Sequence, residues 1–190
     1  MKTKDMVIVA MFAAVIAVLG ILPAIPIPAI GVPFTFQNLG IILAGCLLGR
    51  KLGGLSVLLF TVLVACGLPL LSGGRGGLAL FFGPSGGYIL SFPIIAYLIG
   101  WLTEKRFQQM NVWQVFLVNG LIGAFLCNLI GGTFMAFNIG MPLLTAYKSV
   151  LVFLPGDLVK SLVAAFVAVK LRAVPSVRRY IEPGVQYGSR

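Results

Sequence analysis

The sequence predicts an all-α membrane protein, a bundle of six transmembrane helices with both termini in the cytoplasm. Three observations carry this expectation. Apolar residues make up 59% of the 190-residue chain and charged residues only 9%, far from the balance of a soluble domain. Apolar runs long enough to cross a bilayer recur along most of the length. The net charge of +10 would suit a nucleic-acid binder, but most basic residues sit in short clusters between apolar runs, the positive-inside pattern.

The first helix is expected over about 6–22. Lys2 and Lys4 before it resemble the start of a signal peptide. The run is longer than a usual signal core, however, and Pro23, Pro26 and Pro28 stand where a small-residue cleavage site would be. It reads as a retained helix. The second, over 38–49, is short for a full span and is expected to be tilted, broken or buried in the bundle. The remaining helices are expected over 52–71, 88–103, 112–137 and 149–171. Residues 1–190 read as one membrane domain ending in a short polar tail.

Charge sets the orientation. Lys2 and Lys4 precede helix one, Arg50 and Lys51 join two and three, and Lys105 and Arg106 join four and five. Lys170, Arg172, Arg178 and Arg179 follow helix six. With six crossings all of these lie on one side, which places both termini in the cytoplasm. The opposite side carries only Arg75 and Lys148. Its loops are longer. Pro23–Pro33 is proline-rich and leads into Phe34-Thr-Phe-Gln37, while Ser72–Gly77 and Gly83–Tyr88 are rich in glycine, which lets backbone approach a ligand closely. Such loops can serve as a lid or as plain connections.

Several chemistries are excluded. The chain has no histidine, which removes the commonest general base and the usual zinc ligand. Cys46, Cys66 and Cys127 lack paired spacing and read as packing residues. No metal or cofactor is expected. Gly83-Pro-Ser85-Gly86 has the form of an intramembrane serine protease nucleophile, but that chemistry needs a base to activate the serine, and the histidine is missing. An aspartyl protease needs two carboxylates in one site, and only Asp157 lies within the apolar segments. A P-loop is absent too, so active transport would draw its energy from a partner or an ion gradient.

Asp157 is the central candidate. A charge inside a bilayer costs roughly 2.5–3.5 kcal/mol, and such residues usually face a cavity. Lys160 follows at i+3, on the same helix face. Counting from a helix start near Ser149, Asp157 lies about 12 Å below the outer end, and Asn128 lies about 14 Å down helix five. Asp157 accepts hydrogen bonds and Lys160 donates them, so together they suit a ligand with N–H donors beside a carbonyl. The alternative is an ion pair that only neutralises itself. Asn128 either joins the site or bonds a neighbouring helix. Gln37, Arg75, Ser85 and Tyr88 sit in or beside the outer loops. Arg75 either meets a ligand carboxylate or lies in water. Phe34, Phe36, Phe81 and Phe82 either wall a pocket or face lipid. Ala10 and Ala14, with Ala13 and Ala17, form small-residue faces on helix one, suited to a partner or to packing within the bundle.

Pro33-Phe-Thr-Phe-Gln37, Gly83-Pro-Ser-Gly-Gly-Tyr88 and Phe153-Leu-Pro-Gly-Asp-Leu-Val-Lys160 occur in an order and spacing that resembles the BioY family, the biotin-binding S components of energy-coupling-factor (ECF) transporters. Many members have Thr where Ser85 stands, which keeps the hydroxyl. The resemblance covers nearly the whole chain. It implies a six-helix S-component fold with biotin beneath the outer loops, bound by Asp157, Lys160, Asn128, Gln37, Tyr88, Ser85, Gly86, Arg75 and Phe36. It also implies a transmembrane coupling subunit, met by Ala10 and Ala14, and two cytoplasmic ATPases. Biotin is then a transported ligand, not a cofactor. The alternative reading is a stand-alone ion-coupled transporter of a small polar metabolite, in which Asp157 carries a proton.

Overall fold

The computed structural model describes residues 2–26, 32–104 and 109–174. The expectations placed on Pro28, Lys105, Arg106, Arg178 and Arg179 lie outside these residues. Helix α1 spans Thr3–Ile21. Its buried stripe of Val9, Ala13, Ile16 and Gly20 recurs at three- and four-residue spacing, while Met6, Val7, Met11 and Val18 face outward. An apolar residue on the outer face suits a helix that borders lipid.

Residues Gln37–Ala65 are helical on both sides of Gly49, which has φ 74° and ψ −174°. That backbone region is essentially open to glycine alone, and the chain reverses there. In one continuous helix residues 44 and 53 would stand about 13 Å apart. Here a Cβ on Gly53 would sit 2.5 Å from the Ala44 carbonyl oxygen. The segment is therefore a hairpin of α2 (37–48) and α3 (50–65). Helix α2 is about 18 Å long and buried through Gly40, Ile41, Ile42, Ala44, Gly45, Cys46 and Leu47. Of the three expectations for this short segment, burial in the bundle is the one observed. Helix α3 stops at Ala65, short of the expected 71, because Gly67 takes φ 98° and Pro69 cannot continue the helix.

A 3₁₀ turn at Leu78–Phe81 leads to α4, Gly86–Glu104. Helix α5 runs over Val112–Ile139, with a π-helical middle at Asn119–Leu126. The last expected helix differs most. Instead of one rod from Ser149, the chain forms α6 (Leu143–Val150) and α7 (Leu154–Ala173), bent by 51°. Pro155 stands in the first turn of α7, where its missing N–H costs nothing, whereas inside a continuous helix it would break a bond. The third outer loop is thus largely α6.

By length and apolarity α1, the hairpin segment, α4 and α5 qualify as membrane spans, and the bent α6–α7 pair is one more. The reversal at Gly49 makes the hairpin segment two helical arms. The protein is a multi-pass helical membrane protein. At one end of the bundle the Arg50 N–H donates to the Glu104 carboxylate at 3.2 Å, and the Arg172 guanidinium donates to the carbonyls of Cys46 and Leu47. At the other end Gln37 reaches the Ile16 carbonyl and the Leu70 carbonyl.

Candidate ligand-binding site

A cleft opens at the Gln37 end. It holds about 560 Å³ of empty space, counting its open mouth. Its polar floor comes from α7 and α5. Asp157 and Lys160 are each 5% exposed at the side chain and joined at 2.7 Å through Asp157 Oδ1. Asn128 Nδ2 donates to Asp157 Oδ2 at 2.8 Å and to the Ala124 carbonyl at 3.0 Å. Both N–H groups of that amide are committed, so its Oδ1 remains as an open acceptor. Lys160 also donates to the Thr35 carbonyl at 2.7 Å and sits 3.6 Å above the Phe34 ring, a cation–π contact that helps hold the charge out of water.

The shift in the start of α7 corrects the depth of Asp157 along its own helix. It lies in the first turn of α7, about 5 Å from the helix start, not 12 Å. It still meets Asn128, whose amide donates to it.

The walls are aromatic. Phe34 stacks on Phe153 with centroids 6.4 Å apart and planes 8° off parallel. Phe92 and Tyr88 also line the cleft. The Phe34 ring rests on Gly156, where an added Cβ would overlap it. This gives Phe153-Leu-Pro-Gly-Asp-Leu-Val-Lys160 a residue-by-residue reading. Phe153 stacks, Pro155 opens the helix, Gly156 seats Phe34, and Asp157 with Lys160 forms the floor. The Tyr88 ring packs likewise on Gly131, and its buried hydroxyl has no hydrogen-bond partner among the described residues.

Of the residues named from the sequence, Asp157, Lys160, Asn128, Gln37, Tyr88, Ser85 and Arg75 line the cleft. Phe36 is not among the lining residues and packs on Phe34 in a T-shaped pair with centroids 6.2 Å apart. Gly86 lies against the Phe81 carbonyl and opens the helix that carries Tyr88. Phe81 joins the core and Phe82 faces outward. Gln37 is 2% exposed and heavily committed. Its Oε1 accepts from the Ser72 backbone at 3.1 Å and hydroxyl at 3.4 Å, and its Nε2 donates to Leu70 and Ile16. It pins the glycine-rich loop to α1 and α2. Arg75 lines the cleft and uses its Nε on the Ser72 carbonyl. Val32, Thr35, Asn38, Leu71, Ser72, Ile89, Phe92 and Phe153 also line the cleft. Phe92 was findable as one helical turn beyond Tyr88. Ser72 carried no signal, since only the fold brings it to Gln37. Among the described residues no group of His, Cys, Asp and Glu could hold a metal ion.

A membrane bundle with a polar-floored, aromatic-walled cleft at its end defines a membrane-embedded binding protein for a small molecule. Comparison with known proteins is specific about which kind. The BioY family model matches residues 1–176. A probable biotin transporter BioY of Bacillus subtilis is 40% identical over 171 residues, covering 90% of this chain and 91% of that one. The biotin transporter BioY of Rhizobium etli is 41% identical over 174 residues, covering 87% and 91%. Among solved structures, the S-component for biotin from an ECF-type ABC transporter superposes with a TM-score of 0.90 at 37% identity, covering 96% of this chain and 100% of that one. The chain belongs to the BioY family.

Proposed function

We propose that this protein captures biotin at the outer face of the cell membrane, as the S component of an ECF-type transporter, and passes it to partner subunits that hydrolyse ATP. The observation that carries this reading is the floor of the cleft. Biotin's ureido ring presents two N–H donors and one carbonyl oxygen. Asp157 keeps lone pairs beyond those engaged by Lys160 and Asn128, and Asn128 Oδ1 is open, so the pair supplies acceptors for both N–H groups. Lys160, with N–H groups committed to Asp157 and Thr35, has a third for the carbonyl oxygen. The fused rings pack among Phe34, Phe153, Phe92 and Tyr88. The valerate tail points to the mouth, where the terminal nitrogens of Arg75 meet its carboxylate. Ser85 lines the tail's path, Gln37 holds the loop that presents Arg75, Phe36 braces Phe34, and Gly86 lets α4 start close beneath that loop.

The partners are a transmembrane coupling subunit and two cytoplasmic ATPases. Ala10 and Ala14 are exposed on α1 while Ala13 is buried, so the first pair is available to another helix and the second face is spent within the bundle. Lys2, Lys4, Arg50, Lys51, Lys170 and Arg172 lie toward the end away from the cleft, which supports cytoplasmic termini.

Isothermal titration of the purified full chain in detergent tests the ligand. Biotin binds at one site, and Asp157→Asn, which keeps the volume but removes the charge, weakens it by roughly 10–100-fold, the worth of a hydrogen bond to a charged group. A folded wild-type chain that takes up no biotin overturns the reading. Uptake in proteoliposomes requires the coupling and ATPase subunits. Uptake without them that an uncoupler abolishes would favour an ion-coupled transporter instead.

A further inference from the structure

We propose that Asn119, which lies outside the cleft, is a positioning residue for it: through the π-helical segment of α5, it sets the rotation that turns Asn128 toward Asp157. Asn119 is fully buried. Its Nδ2 donates to the Ser161 carbonyl on α7 at 3.2 Å, and its Oδ1 accepts from the Cys46 thiol on α2 at 3.0 Å. Nine positions later, Asn128 donates to Asp157, one helical turn from Ser161 on the same helix. Helix α5 is thus fastened to α7 at two points.

An ordinary α-helix could not make both contacts. At about 100° per residue, nine residues leave two side chains about 180° apart, on opposite faces. Asn119–Leu126 is π-helical instead. Its i→i+5 bonding turns the chain through a smaller angle at each residue. Summed over the segment, the difference brings Asn128 back to the face that carries Asn119. Asn128 Nδ2 also bonds the Ala124 carbonyl inside that segment, so its position depends directly on the segment's register. If the segment relaxed to an α register, one of the two contacts with α7 would be lost. Asn119, held from both α2 and α7, opposes that relaxation. Its effect on the ligand passes through Asn128 and Asp157.

A double-mutant cycle tests this on the purified full chain, using Asn119→Ala, Asn128→Ala and the double variant. Ser56→Ala serves as a control, since Ser56 is equally buried and bonds only within its own helix. The affinity arm rests on the biotin reading and the stability arm does not. Asn119→Ala weakens biotin binding roughly tenfold, about the worth of one buried hydrogen bond, but has little further effect once Asn128 is gone. Without ligand, the two single shifts in melting temperature sum to more than the double variant shows, the mark of coupled sites. Additive effects, or an equal loss of affinity in Ser56→Ala, overturn the proposal. If the wild-type chain binds no biotin, the functional reading fails and the ligand-free cycle alone decides: coupled shifts sustain the role of Asn119 and additive shifts remove it.

Discussion

Lys160 holds more of the site than its charge suggests. Its ammonium joins the Asp157 carboxylate, the Thr35 carbonyl and the Phe34 ring face, so it ties α7 to the segment before α2. Removing it strands a buried carboxylate. Lys160→Met is expected to destabilise the protein by about 3–5 kcal/mol, and combining it with Asp157→Asn should restore much of the loss; denaturation of the two variants side by side checks this. The i+3 spacing made the Asp157–Lys160 pair legible in the sequence, because local helix geometry alone puts both on one face. The tasks of Gln37 and Gly156 were not legible. Gln37 reads as a polar residue free to meet a ligand until the fold brings Ser72 and Leu70 to it from 35 and 33 positions away. Nothing in the motif around Gly156 shows that Phe34 packs on it.

At the scale of elements, the hairpin at Gly49 places the short helix α2 in the centre of the bundle. The turn depends on a backbone conformation that only glycine enters readily, and Glu104 sits close above it, bonded to the Arg50 N–H. Gly49→Ala should cost about 1–3 kcal/mol of stability, read as a lower melting temperature, with biotin affinity changed little because the turn lies at the opposite end from the cleft. The helices were legible as apolar runs, within a few residues at most ends. The bend between α6 and α7 was not read, although Pro155 marks it. An apolar run shows no break where a helix changes direction, and the bend is stabilised by packing of Phe153 on Phe34. The π segment left no trace either. It is one apolar stretch among several, and its register has meaning only against α7.

Across the whole molecule, the two ends of the bundle have separate tasks. One carries the cleft and its loops, and the other carries the turn at Gly49 and most of the basic residues among those described. Along its side, α1 presents Ala10 and Ala14 outward. Replacing both with Leu is expected to abolish co-purification with the proposed coupling subunit while leaving biotin affinity within about twofold, since bulk at a small-residue face blocks close helix approach and neither residue lines the cleft. Retained co-purification would place the partner elsewhere. The sequence by itself determined the membrane class, the order of the helices and the pairing of Asp157 with Lys160. These follow from hydropathy, charge placement and helical period, all of which act over a few turns of chain. Only the tertiary structure decided that Asn128 reaches Asp157, that Gln37 serves a loop and that α5 leaves the α register. Those outcomes depend on distances between segments far apart in the chain, which packing sets and local spacing does not encode.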